Sequence, residues 1–458
     1  MVAAPERIEI DTVDFEVPCR RFTIRATITR DRQLPVVEEF VLRMLAVLDR
    51  VSIRRLRTWF GFTEAEIQTV LIDLKGKAQV DIDGDDAMLA PAGRDLFRAT
   101  PEGGVPRIVE VATLVDHVWF DLVSRNMVPR SRARSVDYLV RLREQPSARE
   151  LPASFAREAF EANFRDYTRR VARLEDPDSV NIYAVSDVEA GTYSYQSVRA
   201  AIELDPVRSA LRPRFLAFEE EPSRFHALTL NAVEEWGILS TPETSQTSAS
   251  EYERLTGDQL VAPILHNKPD VDTWRELLTA PTVPTFRRSV GAAYLDKNIN
   301  LLSDVVTDLR GIGTEAAEIV WLRPSGTGWG RSRRVAEALQ KLKDMLRNIH
   351  ASEVRTRIAM PRSTHKSVRK SHRRLFDRGE LLPQGQMPPN IEILLVDGIA
   401  ALVNLHLDLG GHSAPVGGLV TDQKRLSRMV ERLQPRDSGW ESLWEPSSER
   451  RDGQKLER

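Results

Sequence analysis

Apolar residues recur at helical spacing in three consecutive segments after residue 32, and each segment has flanking residues that begin or end a helix. The second segment follows Ser52, a good N-cap, and ends at Gly61. The third starts with a capping box at 63–66, in which a threonine hydroxyl and a glutamate carboxylate accept backbone N–H groups. The first segment begins at 34–35, and its apolar face comprises Val37, Phe40, Val41, Met44, Leu45 and Leu48.

Alternating apolar and polar residues then predict a tight β-hairpin, with strands at 79–82 and 88–89 joined by an Asp-Gly turn. Three helices followed by a hairpin resemble a winged helix-turn-helix domain, which would span residues 32–100. That fold contacts DNA with its third helix and its hairpin tip, so both need neutral or basic surfaces.

The third helix and the hairpin tip of this unit are acidic, not neutral or basic. The third helix contains Glu64, Glu66 and Asp73, and the hairpin tip has acids at 83, 85 and 86, all of which phosphate would repel. The one basic cluster is a set of three arginines between 54 and 57. The sequence therefore favours a protein-contact or scaffold role; DNA contact, as in a winged-helix transcription regulator, is the alternative.

A region of mixed α and β character follows at 105–239. A charged helix is predicted at 154–174, with Ser154 as its N-cap. Apolar alternation predicts strands at 107–114, 118–123, 182–185 and 198–204.

Two segments flank these units. Residues 1–31 are assigned to an N-terminal strand or extension. Residues 240–251 are polar and almost free of large apolar groups, which predicts a linker or an exposed loop.

Strands and helices alternate from residue 317, an order typical of α/β layers. The whole chain is therefore predicted to be a multi-domain α/β protein, α+β overall, with a C-terminal domain at 252–433 and a polar tail at 434–458. Strands are predicted at 319–322, 354–360, 391–396 and 400–405, and helices at 332–350, 364–378 and 422–433.

A glycine-rich loop at 325–332 lies between the first of these strands and the helix that follows it. It lacks the Lys-Ser/Thr ending of a P-loop, and the bulky Trp329 would crowd a bound phosphate. No nucleotide cofactor is predicted from it.

The strand at 391–396 carries the spacing of a catalytic motif. Asn390, Glu392 and Asp397 are spaced like the residues of a His-x-Lys-x4-Asp motif. Together with the preceding strand, glycine loop and helix, and the segment 418–433 after it, this half resembles a phospholipase D-like domain. In active members of that superfamily the histidine attacks phosphorus and the lysine stabilises the phosphoryl charge.

The resemblance implies a domain that has lost its catalytic residues. Asn390 is not a nucleophile, and Glu392 would place a negative charge beside the phosphoryl oxygens. The alternative is an active nuclease with an unrecognised first motif. The histidines that would supply it are His266, His406 and His412, each of which is more simply a loop or core residue.

Charge is distributed unevenly along the chain. The net charge is −2, but residues 323–378 hold 16 Lys and Arg against 4 Asp and Glu, a surplus of 12 that leaves −14 for the remainder. Such a surplus is typical of a surface that binds phosphate or an acidic protein. On the helix predicted at 364–378, cations at positions i, i+3, i+4 and i+7 would form one basic ridge. The predicted nucleic-acid-binding residues are Arg331, Arg333, Arg334, Arg362, Lys366, Arg369, Lys370, Arg373 and Arg374.

Composition limits the remaining chemistry. The chain has 458 residues and one cysteine, so no internal disulfide is possible and no zinc cluster or other metal site is predicted. Five acids within the first 16 residues exclude a secretory leader. The most apolar segment, 391–409, is interrupted by charged residues and does not predict a membrane span. A cytoplasmic location is expected.

These patterns together predict a non-catalytic nucleic-acid-binding or assembly subunit that binds DNA through its basic C-terminal surface. A winged helix joined to a phospholipase D-like domain resembles composite proteins of bacterial anti-phage defence systems. That resemblance implies partner subunits such as an ATPase, a helicase or a nuclease.

Overall fold

Three β-sheets organise the chain, and helices cover them. The computed structural model describes residues 7–98, 107–130, 133–172, 177–261, 264, 269–280, 283–308, 316–349, 353–396, 398–435 and 439–445. The strands are β1 (Ile8–Gln33), β2 (Arg50–Ser52), β3 (Val80–Asp83), β4 (Asp86–Leu89), β5 (Arg107–Asp121), β6 (Val140–Arg141), β7 (Val180–Asp205), β8 (Ala210–Arg214), β9 (Phe286–Val290), β10 (Ala316–Leu322), β11 (Glu353–Met360), β12 (Arg378–Leu381), β13 (Ile391–Val396), β14 (Ala400–Leu409), β15 (His412–Val420) and β16 (Glu441–Trp444). The α-helices are α1 (Val36–Leu48), α2 (Ile53–Phe60), α3 (Glu64–Gly76), α4 (Pro91–Arg98), α5 (Pro146–Glu150), α6 (Pro152–Ala162), α7 (Phe164–Asp166), α8 (His226–Gly237), α9 (Gln246–Thr256), α10 (Val271–Thr279), α11 (Asp296–Asp308), α12 (Arg334–Ile349) and α13 (Gln423–Leu433).

The first sheet is built from three long strands in the order β5-β1-β7, with β8 beside β7 and the short β6 beside β1. The two strands predicted within 107–123 form one continuous strand, β5, which pairs with the second half of β1. The two predicted within 182–204 likewise form β7, which pairs along most of β1. Residues 1–31, predicted as a strand or extension, thus contribute the central strand of this sheet. Alternate β1 residues such as Phe22 and Ile24 pack against α6.

The helix predicted at 154–174 is shorter than expected and is followed by other helical turns. α6 begins at Pro152, and Leu151 rather than Ser154 is its N-cap. Proline at the first helical position replaces a cap hydroxyl here, because its missing N–H needs no partner. After α7 the backbone forms a π-helix at Tyr167–Val171.

A small unit is inserted between β1 and β5. The predicted helices are confirmed as α1, α2 and α3, and the capping box is present, with Thr63 accepting from the Glu66 backbone and Glu66 accepting from Thr63. The hairpin is confirmed as β3 and β4, which turn at Gly84 with φ +62° and pair in the order β2-β4-β3. On α1 the buried apolar side chains are Val41, Leu42 and Leu45, whereas Phe40 and Leu48 are exposed.

The third sheet has eight strands in the order β16-β12-β11-β10-β13-β14-β15-β9. β10, β11 and β12 are parallel, and the remaining neighbours are antiparallel. Every residue of β13 is buried, with Ile391 and Ile393 in one core and Leu394 and Val396 in the other. A sheet that is covered on both faces explains the nearly continuous apolar run in this part of the sequence.

Two segments predicted to lie outside the folded units belong to them. The linker expected at 240–251 contains the start of α9, where Ser248 and Ala249 are fully buried. Small polar residues mark an N-cap here, since the Ser245 side chain accepts from the Ser248 backbone. In the tail expected at 434–458, Glu441–Trp444 is a strand paired with β12, and Trp444 is buried over Gly379.

Candidate nucleic-acid interface

The basic segment that follows β11 is not the helix predicted at 364–378. It forms a short 3-10 helix at Lys366–Val368 and then a series of turns. Side chains take the carbonyl groups that an α-helix would use: Arg323 and Ser371 donate to the Val368 oxygen, and Arg369 donates to the Thr364 oxygen. The i, i+3, i+4 ridge of cations therefore does not exist, although the residues remain together in one loop.

Buried side chains at regular intervals hold this loop to the sheet. Val368, His372 and Phe376 are almost completely buried. The His372 ring stacks on Tyr138 at 5.2 Å, and its Nε2 lies 3.0 Å from the Gly330 oxygen. Burial, with the Arg323 charge nearby, lowers the pKa of His372 to about 3, so this ring is neutral at physiological pH. The anchors leave the intervening side chains on the surface.

Four of the predicted cations are exposed on this loop. They are Lys366, Lys370, Arg373 and Arg374, which we call the basic loop. Within the described ranges, no ion pair to a carboxylate is formed by any of the four. Four cations on one anchored segment are therefore free to meet an anionic partner.

The other two cations of this segment hold the loop in place. Arg362 lies 3.2 Å from the Glu441 carboxylate and donates to the Gly439 oxygen, which connects the loop to the segment before β16. Arg369 donates to the oxygens of Thr364 and Arg362.

The predicted cations near the glycine loop, Arg331, Arg333 and Arg334, are each partly exposed. Arg331 donates to the oxygens of Thr327 and Tyr138, and burial lowers its pKa. The Arg333 backbone donates to Asp14, and Arg334 forms an ion pair with Asp296. Arg331 and Arg334 are thus already engaged by groups within the protein.

The glycine loop itself is closed by a buried cation that the sequence pattern did not single out. Arg323 is completely buried, donates to the Gly326 oxygen at 2.8 Å, and lies 4.9 Å from the centre of the Trp329 ring. Burial, together with the neighbouring charge of Arg331, lowers the pKa of Arg323 to about 9. Loop carbonyls that point at a guanidinium do not form a phosphate-binding cradle, which needs N–H groups.

Two of the three residues at the positions of the phospholipase D-like motif lie inside the fold. Asn390 is fully buried and donates to the Pro242 and His406 oxygens. Glu392 is fully buried within β13. Asp397 lies outside the described residues.

Glu392 is the centre of a closed hydrogen-bond network. One carboxylate oxygen accepts from the Trp321 and Trp329 indoles at 3.0 and 2.8 Å, and the other accepts from Asn404 at 2.9 Å and lies 3.0 Å from His406 Nε2. Burial raises the pKa of Glu392, but these donors outweigh burial and the pKa ends below its ordinary value. All four partners are side chains of the chain itself, so both carboxylate oxygens are occupied by internal contacts.

Two histidines of the nuclease alternative lie within the described residues, and each is held by neighbouring side chains. His406 is buried between Glu392 and Ser413, whose hydroxyl lies 2.6 Å from Nδ1. His412 stacks on Trp236 with the ring centres 3.8 Å apart, and burial lowers its pKa. His266 lies outside the described residues.

The inserted unit keeps its acidic surface. Glu64 and Glu66 are exposed at the start of α3, and Arg50 beside the hairpin tip is paired with Asp83. Of the arginines on α2, Arg57 pairs with Glu64 at 2.6 Å, and the other two are exposed.

No cluster of three metal-binding side chains occurs among the described residues. In the same part of the chain, each helix is too short or too polar to cross a membrane.

Neither the known family models nor the curated proteins contain a match to this chain. Among solved structures, the chain aligns with TrmBL2, an archaeal chromatin protein whose structure shows a novel mode of DNA binding. The alignment covers 87% of this chain and 90% of TrmBL2 at 10% identity, with a TM-score of 0.20. A similarity this low does not establish a shared fold.

Proposed function

We propose that the protein is a non-catalytic nucleic-acid-binding subunit that contacts DNA through the basic loop. The observation that carries the proposal is the exposure of Lys366, Lys370, Arg373 and Arg374 without carboxylate partners in the described ranges. Because the loop is anchored by buried side chains, the cations are held near one another before DNA arrives, which reduces the entropy cost of binding.

The chemistry of the basic loop supports binding to the phosphate backbone rather than recognition of bases. Lysine and arginine neutralise phosphates and release counterions, which makes affinity fall as salt rises. With four contacts at about 0.9 each, the logarithm of the affinity should fall by about 3 to 4 per tenfold increase in salt.

The absence of catalysis in this proposal rests on the network around Glu392. A phosphodiesterase of the phospholipase D type needs a nucleophilic imidazole and a free cation at these positions. Asn390 and Glu392 are instead completely buried and occupied by internal hydrogen bonds. We retain the phospholipase D-like assignment of 252–433 as part of this proposal.

For the inserted unit we propose a winged helix that contacts protein. Its α3 and hairpin tip are acidic, which disfavours DNA. One side of α1 exposes Val36 (68%), Phe40 (52%) and Val47 (80%), an apolar strip suited to a partner subunit. An assembly role beside an ATPase, a helicase or a nuclease follows from this surface as part of the same hypothesis.

Fluorescence anisotropy with labelled duplex and single-stranded DNA, measured across a range of salt, tests the proposal. A variant with Lys366, Lys370, Arg373 and Arg374 all changed to Gln should lose affinity and most of the salt dependence. A matched variant with Arg54→Gln and Arg55→Gln should bind like the wild type. Loss of binding in that second variant alone would instead support a winged-helix regulator, and binding by the wild type without salt dependence would refute a phosphate-contacting loop.

A further inference from the structure

A second cationic site lies far along the chain from the basic loop, at the edge of the first sheet. A cleft of about 670 Å³ opens between β5, the loop 127–130 and the π-helix Tyr167–Val171. An adjoining cleft of about 300 Å³ shares part of this lining. Small-molecule sites occupy about 300–1,000 Å³, and single π-helical turns frequently occur at functional sites.

Part of the cleft wall is apolar. Trp119 on β5 and the loop residues Met127, Val128 and Pro129 line it, and Val171 of the π-helix, 45% exposed, lies opposite. These groups provide a surface for a flat, uncharged ring.

Four arginines also line the cleft, and two of them are already neutralised. Arg224 pairs with Asp166 at 3.2 Å and with Glu221 at 2.9 Å, and Arg170 pairs with Glu221 at 3.2 Å. These acids compensate both cations in the absence of a ligand.

The two remaining cations, Arg21 and Arg130, have no ion pair within the described ranges. The Nε of Arg21 is buried without a hydrogen-bond partner. Asp116 also lines the cleft and accepts from the Tyr167 hydroxyl at 2.8 Å and from the His117 backbone, and within the described ranges it forms no ion pair with either arginine. Because the Nε atom itself is buried, an anion in the cleft would be bound by the terminal guanidinium nitrogens of Arg21 and Arg130.

We propose that this cleft binds a nucleoside monophosphate, with the phosphate at Arg21 and Arg130 and the base against the apolar wall. A phosphate monoester carries close to two negative charges at neutral pH, which matches two unpaired guanidinium groups. Arginine also recognises phosphate with two parallel N–H donors, which a lysine does not.

Isothermal titration calorimetry with AMP, GMP, CMP and UMP tests this site. Adenosine and inorganic phosphate, the two halves of AMP, are titrated separately for comparison. At least one monophosphate should bind with a stoichiometry of one, and more tightly than either half. Arg21→Gln should weaken that binding by about tenfold or more, because a hydrogen bond to a charged group is lost. Arg130→Gln, at an exposed position where folding is not at risk, should weaken it as well.

Arg20→Gln is the matched control, because Arg20 is the neighbouring residue on β1 but lies over the Tyr193 ring, 4.5 Å from its centre. Its affinity should equal that of the wild type. The basic-loop variant should also bind the monophosphate normally, which separates this site from the proposed DNA contact. Three results would overturn the proposal. They are absence of binding for all four monophosphates, wild-type affinity in both Arg21→Gln and Arg130→Gln, and loss of monophosphate binding in the basic-loop variant.

Discussion

The network around Glu392 makes a sharp prediction about stability, because two substitutions at one position should differ greatly. Glu392→Ala removes the acceptor for two indoles, one amide and one imidazole, and leaves a cavity in a dry core. Each buried polar group without a partner costs about 1–3 kcal/mol, and these costs are not fully additive. We expect the free energy of unfolding to fall by about 4 kcal/mol.

Glu392→Gln should cost much less, about 1–2 kcal/mol. The amide keeps one oxygen for the Trp321 and Trp329 indoles. Its NH₂ group would face Asn404, whose own side-chain oxygen is buried without a partner and could accept after the amide turns over. His406 could accept in its other tautomer.

Urea denaturation followed by tryptophan fluorescence measures both effects, since two tryptophans contact this residue. Glu276→Gln, at an exposed position on α10, serves as the control and should match the wild type. A loss of less than about 1 kcal/mol in Glu392→Ala, or a smaller loss than in Glu392→Gln, would refute the view that this network holds the domain together.

The same network predicts the pH dependence of stability. The pKa of Glu392 in the folded protein lies below its ordinary value of 4.5. The ionised carboxylate therefore stabilises the fold fully above that value, and the stabilisation is lost as pH falls through the lowered pKa. Repeating the titrations from neutral pH downward should show the gap between wild type and Glu392→Gln becoming smaller; a gap that widens in acid would contradict the assignment.

Three further predictions concern packing, capping and a buried ion pair, and thermal or urea unfolding checks each of them. Gly417→Ala would place a Cβ 2.0 Å from the Val403 oxygen and should cost about 3 kcal/mol, whereas Gly76→Ala, with open space around it, should be neutral or stabilising; equal effects would contradict the packing. Thr63→Ala should destabilise the inserted unit by about 1 kcal/mol through loss of the capping box, an effect absent if α3 starts elsewhere. Arg357→Ala should cost about 3 kcal/mol, because it removes the nearer and more buried of the two cations that pair with Glu380 and leaves only Arg378, at 3.6 Å, while the exposed Arg355→Ala should change little.

Local signals in the sequence predicted much of the secondary structure. Ser52, Gly61 and the capping box predicted the ends of α2 and α3, and Asp-Gly predicted the hairpin turn. These features act within a few residues, so the sequence alone contains their cause. The buried strands β10, β11, β13 and β14 were also predicted correctly, because their apolar runs are strong.

Predictions that depended on distant partners were less successful. The segment 364–378 has helical spacing, but its carbonyls are taken by side chains such as Arg323, which lies 45 residues from Val368 in sequence. The polar residues at 240–251 were interpreted as a linker, although they cap and form α9 against the third sheet. The strand β16 was predicted as tail because its pairing with β12 gives no local signal.

The candidate site likewise combines features that local sequence signals predict with features that depend on distant residues. The sequence identified the excess of cations in 323–378 but not which of them reach the surface. That selection depends on contacts such as the hydrogen bond from the Arg331 side chain to the Tyr138 oxygen, which joins residues 193 apart in sequence. The cleft around Arg21 was not predicted, since it combines β1, β5 and the π-helix and has no motif of its own.

By itself, the sequence determined the capped helices, the hairpin turn, the buried strands and the local excess of positive charge, because hydrogen bonds and periodicity within a few residues decide these features. Only the tertiary structure decided that β1 is a central strand, that Glu392 belongs to a closed internal network, and that four cations of the basic loop remain unpaired in the described ranges. Burial and ion pairing depend on which remote segments pack together, and a charged side chain has no fixed role until its neighbours are in place.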